Sequence, residues 1–100
     1  MIYLTMFIFI KEGKETVFHQ FEDSVLPILD DYKGKLIYRL RPNNEAYISF
    51  EEELPYEIHF LSFESEQDFI NFAKDERRTL FLELKEDSIK STFLVKGIKI

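Results

Sequence analysis

Residues 56–78 read YEIHFLSFESEQDFINFAKDERR, and the fold turns on how they are read. Five of the first eight are apolar or aromatic, the pattern of a strongly apolar strand. Ser65 then opens a helix, with Asp68 where a capping box carries Glu. Both side chains can satisfy backbone N–H groups that a first helical turn leaves free. Phe69, Phe72 and Ala73 give that helix its apolar stripe. A buried strand followed at once by an amphipathic helix is the unit to seek elsewhere in the chain.

Residues 2–10 repeat the strand, apolar or aromatic apart from Thr5. From 15 to 32 the apolar side chains fall at 17, 18, 21, 25, 28, 29 and 32, a helical stripe with a period of about 3.6. Pro27 lacks a backbone donor and crowds the carbonyl four residues earlier, at about 3 kcal/mol in a regular helix, so a kink or split is expected near 23–26. Gly34 is placed to take the left-handed conformation just past the helix end. In KLIYRLR (35–41), Leu36, Tyr38 and Leu40 share one face and Ile37, Arg39 and Arg41 the other, an edge-strand pattern. The following loop is expected to carry a short strand at 46–50 and a solvated acidic turn at Glu51, Glu52 and Glu53. TLFLELKE (79–86) fits a strand or a helix, and its nearness to the preceding helix favours helix. STFLVKGIKI (91–100) reads as a last edge strand with a bulge at Gly97.

The order strand, helix, strand, strand, helix, strand, with two right-handed crossovers, gives an α+β fold. It is a ferredoxin-like βαββαβ unit over a single domain, 1–100, with an antiparallel sheet of order 4-1-3-2 and helices on one face. The apolar first and third strands then lie in the centre, and the strands bearing alternating Arg and Lys lie at the edges. The sheet's other face stays bare. The first strand puts aliphatic residues at even positions and Tyr3, Phe7 and Phe9 at odd ones, so neither face suits water. A two-fold homodimer stacked sheet on sheet is the simplest closure.

Composition excludes several functions. A net charge of −6 leaves no basic stripe for nucleic acid. Arg39 and Arg41, like Arg77 and Arg78 beside Asp75 and Glu76, read as solvated or salt-bridged. Without cysteine there is no disulfide, thiolate metal site or cysteine nucleophile. MIYLTMFIFI is too short to cross a bilayer and lacks a basic leader, which points to a buried strand of a cytoplasmic protein with no membrane partner. Two histidines outside any ligand spacing offer no metal site, and three isolated glycines offer no phosphate loop. No cofactor is expected.

His19 lies off the apolar stripe, between Glu15 and Asp23, as a surface ion-pair residue. His59 shares a strand face with Glu57 and Leu61, and a buried imidazole there needs a partner. The acid–base candidates are His59, Tyr38 and a carboxylate whose position the sequence does not give. For a ligand in a pocket beside the sheet, the candidates are His59, Tyr3, Phe7 and Arg39.

Gly13 and Glu15 at the first helix, LPIL within it, GKLIYR, and PYEIHFLSFESEQDFINFAKDERR together resemble the dimeric α/β-barrel superfamily over nearly the whole chain. The nearest branch is that of small stand-alone domains of unknown function, related to antibiotic-biosynthesis-type monooxygenases, muconolactone isomerase and ethyl-tert-butyl-ether-degradation proteins. The resemblance implies a ferredoxin-like dimer and carries no catalytic residue over to a position here. Three functions are expected as alternatives: binding of a small hydrophobic molecule, a cofactor-free monooxygenase or isomerase, or a non-catalytic interaction protein.

Overall fold

A computed structural model describing residues 1–100 contains β1 (Ile2–Ile10), β2 (Gly34–Leu40), β3 (Glu57–Phe63) and β4 (Ile89–Gly97) in one sheet of order β2-β3-β1-β4. Every neighbouring pair is antiparallel. This is the order 4-1-3-2 seen from the other edge, with the two apolar strands inside. The helices are α1 (Glu15–Val25), α2 (Glu66–Ala73), α3 (Glu76–Leu80) and α4 (Leu82–Ser88), so residues 79–86 are helical but for Phe81, the turn between α3 and α4. No helix is long and apolar enough to cross a membrane.

Pro27 splits the first helix as its chemistry requires. α1 stops at Val25, and a 3₁₀ helix, Leu26–Tyr32, carries Pro27 in its first turn, where a missing N–H is harmless. The left-handed residue at its end is Lys33, at φ 56°, and not Gly34. Gly34 is needed for space instead. A Cβ there would stand 2.8 Å from the Phe63 ring, 2.9 Å from Leu29 Cδ2 and 3.1 Å from the Leu29 carbonyl oxygen. Gly34→Ala is therefore expected to cost about 1–3 kcal/mol by overpacking, read as a lower urea midpoint at unchanged slope. An unaltered midpoint would show that the Leu29–Phe63 contact yields freely.

Three local expectations are corrected. No strand forms at 46–50: a short 3₁₀ helix, Asn44–Ala46, leads into irregular chain, since no strand lies alongside to take its backbone groups. The irregularity in β4 is not at Gly97, which pairs with Tyr3 in register, but at the other end, where the register shifts between Phe9 and Ile10. β2 does not alternate throughout. Its register shifts between Leu36, opposite Leu61, and Tyr38, opposite Phe60. An extra residue in one strand flips the sides of the residues beyond it. Leu36 therefore faces the helices, while Tyr38 and Leu40 share the bare face with Phe60 and Ile58. Arg39 and Arg41 come to the helix side.

The core lies wholly between sheet and helices. Leu4, Leu61 and Phe63 meet Phe21, Val25, Leu29 and Phe72 there, all buried. On the bare face Tyr3 and Tyr38 stack on Phe60 from either side, with centroids 5.7 and 5.9 Å away. Phe93 is 62% and Tyr38 59% exposed there. The molecule is 37 × 35 × 16 Å, two layers thick, with the second side of its sheet uncovered.

Candidate functional site

The pairing of β1 with β3 sets Leu4 opposite Leu61, Met6 opposite His59 and Ile8 opposite Glu57. Because side chains alternate along a strand, His59 and Glu57 share the helix-covered face with buried Leu4 and Ile8. Above them α1 brings down Glu22, flanked on the same face by Phe18, Phe21 and Val25. Glu22, Glu57 and His59 are 5%, 0% and 3% exposed. Three ionisable side chains have been drawn into an apolar interior, which is tolerated only if they pair.

They do pair. His59 donates from Nε2 to Oε2 of Glu57 and lies 3.8 Å from Oε2 of Glu22. Arg39 donates to the same Glu57 oxygen at 3.1 Å, and Arg41 to the other at 2.6 Å. Burial alone would push the Glu57 carboxyl up, but hydrogen bonds from His59, Arg41 and Arg39 outweigh it and hold it down at about 2. Glu22 has no such set of donors. Burial pushes its carboxyl up to about 7, and neighbouring Glu57 adds to the push, against the opposing charges of His59, Arg39 and Arg78. Two carboxyls on one imidazole thus take opposite protonation behaviour, the arrangement that separates an acid–base group from its support.

Glu22 and His59 open into a cavity of about 160 Å³ between the sheet and α1, α2, α3 and α4. Of its seventeen lining residues twelve are hydrophobic, so the polar ends converge on an otherwise apolar chamber. Arg78 and Lys85 also line it. Arg78 lies with its guanidinium 4.6 Å over the Phe72 ring, and its Nε is buried without a hydrogen-bond partner. Its neighbour Arg77 is paired with both Asp31 and Asp75, so only the first of the two fits the expected surface ion pair.

The structure divides the sequence candidates between two faces. His59 and Arg39 belong to the buried array. Tyr38, Tyr3 and Phe7 lie on the other side of the sheet, Tyr3 in a groove of about 410 Å³ with Thr5, Phe60 and Val95. One cavity of one chain cannot join the two groups. His19 is not in a surface ion pair: its Nε2 meets the hydroxyl of Tyr56 at 2.7 Å. Glu22, Glu57, Arg41 and Arg78 are the residues that sequence reasoning passed over as site members.

The ligating atoms of Glu22, Glu57 and His59 lie within 4.8 Å of one another, a metal-like spacing that the histidine positions alone did not suggest. Both Glu57 oxygens are already taken by guanidinium groups. A cation would have to displace those bonds beside fixed positive charges, so the donor set does not fit a metal well.

No family model and no curated protein matches the chain. Solved structures do. An uncharacterised NIPSNAP domain protein from Burkholderia xenovorans superposes with a TM-score of 0.74 at 14% identity, covering 100% of this chain and 95% of that one. A proposed antibiotic biosynthesis monooxygenase from Nitrosomonas europaea gives 0.75 at 8% identity, covering 100% and 99%. A dimeric protein of unknown function and ferredoxin-like fold from Bacteroides fragilis gives 0.70 at 11%, covering 96% and 93%. At such identities the likeness is one of fold: the chain has the ferredoxin-like fold that its resemblance to the dimeric α/β-barrel superfamily implies.

Proposed function

We propose that this chain binds a small, mainly apolar molecule in the cavity between sheet and helices and exchanges a proton with it through Glu22. The supporting observation is a carboxyl buried in an apolar chamber with its proton affinity raised to about 7, the condition under which a general base works best near neutral pH. His59 and Glu57 serve as its support, holding the polar end of the chamber in one arrangement. The volume is close to that of a cavity of about 150 Å³ that accepts benzene, so a ligand of about six to ten heavy atoms fits. Proton-transfer isomerisation and cofactor-free oxygenation both begin with loss of a substrate proton, so one base would serve either. The neighbour from Nitrosomonas europaea carries a name of the second kind.

Small aryl ketones in deuterated water provide the test, because one sample reports binding and exchange of the α-hydrogen together. Shifts at Leu4, Ile8 and Leu61, and exchange that falls by about a hundredfold or more in Glu22→Gln, are expected. Ketones that leave those resonances unmoved would overturn the reading.

The assembly belongs to the same proposal. A two-fold dimer would cover the bare sheet face, whose large apolar side chains include Phe93, Val95, Tyr38 and Leu40, each about half exposed or more. One solved neighbour is described as dimeric. Light scattering at micromolar concentration should give twice the chain mass, with melting that rises with protein concentration. Phe93→Asp should shift the mass to that of one chain. A wild-type monomer at those concentrations removes this part of the proposal.

A further inference from the structure

We propose that Arg78 anchors a carboxylate, so that the cavity's ligand is a small, mainly apolar carboxylic acid bound as its anion. The inference rests on the cavity being a ligand site and names what enters it. No ion pair in the chain includes Arg78 or Lys85, although both line the cavity. All the other arginines are engaged: Arg39 and Arg41 with Glu57, Arg77 with Asp31 and Asp75.

An unpaired guanidinium at an apolar wall is costly, and a protein keeps one there at a loss unless something completes it. The Phe72 ring covers one face of the group. That contact leaves the N–H edge, and the Nε within it is bonded to nothing. A planar carboxylate is the partner whose two oxygens match that edge. Burial also lowers the guanidinium's hold on its proton, as expected of a cation still waiting for its counter-charge. The charges of Glu22 and Asp75 are felt at Arg78; Asp75 is already paired with Arg77, and Glu22, on the same cavity as Arg78, is not within ion-pair distance of it. Between them lies the volume that a ligand would fill, its acid group toward α3 and its remaining atoms toward Glu22 and His59.

Benzoate, benzamide and toluene have nearly one shape and differ in charge, so they serve as probes by calorimetry and by shifts of the cavity resonances. Benzoate is expected to bind at least tenfold more tightly than either neutral probe. In Arg78→Met the ratio of benzoate to toluene affinity should fall to near one, and Arg78→Lys should restore part of it. Ligand-free Arg78→Met should melt at or above the wild-type temperature, because a half-buried cation without a partner has been removed. Equal binding of benzoate and toluene by the wild type would overturn the anchor while leaving the apolar site standing. Binding of none of the three overturns both. A melting temperature far below wild type in Arg78→Met would make Arg78 a structural residue and end the proposal.

Discussion

Glu57→Gln is expected to lose about 3 kcal/mol of stability at pH 7 and almost none near pH 2. The carboxyl ionises in the folded chain at about 2 instead of 4.5, so the unfolded state binds more protons across that window. Stability from this group is therefore full above 4.5 and is lost as pH falls through 2, and the interval converts at about 1.4 kcal/mol per pH unit. Gln copies the shape of the protonated acid. It can accept from Arg39 or Arg41 but cannot offer either of them, or His59, a full charge. Removing one partner from a buried ionic group costs about 3–5 kcal/mol in general. The lower end applies here because the Arg39 and Arg41 side chains are 30% and 45% exposed and can turn to water. Urea titrations of both proteins at fixed concentration from pH 2.5 to 7.5 would track the divergence. Parallel curves would mean that the Arg–Glu–His array contributes nothing to stability through charge.

The central strands could be read from the sequence because β1 is apolar or aromatic at every position but Thr5 and β3 at most of its positions, a density that few other elements tolerate. The break at Pro27 and the cap at Ser65 were equally legible: the first is covalent, and the second is a local hydrogen bond from the Asp68 backbone to the Ser65 hydroxyl at 3.1 Å. The expectations that failed depended on partners distant in the chain. Gly34 reads as a left-handed residue past a helix end because glycine often stands there, yet its reason is the Phe63 ring, brought against it across the sheet. The bulge in β2 carries no local signature, and it decides which side of the sheet Tyr38 and Arg39 face.

The site was half legible for the same cause. His59 and Glu57 are two apart on one strand, so their common face could be read from the period of two. Glu22 also left a signal: it stands inside the helical stripe, between Phe18, Phe21 and Val25, where a solvated glutamate does not belong. That it meets His59 needs the packing of α1 on β3, which periodicity does not supply. Arg78 had no signal. DERR offers two arginines beside two acids, and only the fold shows that Arg77 takes the partners.

Glu22→Gln is expected to act in the opposite sense, gaining about 3 kcal/mol at pH 8 and nothing below pH 4.5. Folding raises the affinity of Glu22 for its proton, from an ordinary 4.5 to about 7. Between those values the folded state binds more protons than the unfolded one, so stability falls as pH rises across the window and the full cost is reached above 7. The amide has no charge to bury and escapes that cost, while at pH 4 it replaces an acid already neutral. The two substitutions are not independent, since the charge on Glu57 is part of what raises Glu22. In a Glu57→Gln background the gain from Glu22→Gln should therefore shrink, a coupling that a double-mutant cycle at pH 8 measures directly. A group that destabilises its own protein at working pH is kept for something other than folding. The proposed proton exchange gives that reason, and the stabilised variant should be the one that has lost it. If Glu22→Gln is no more stable than wild type at pH 8, the carboxyl is not held against its charge, and its fitness as a base near neutrality goes with it.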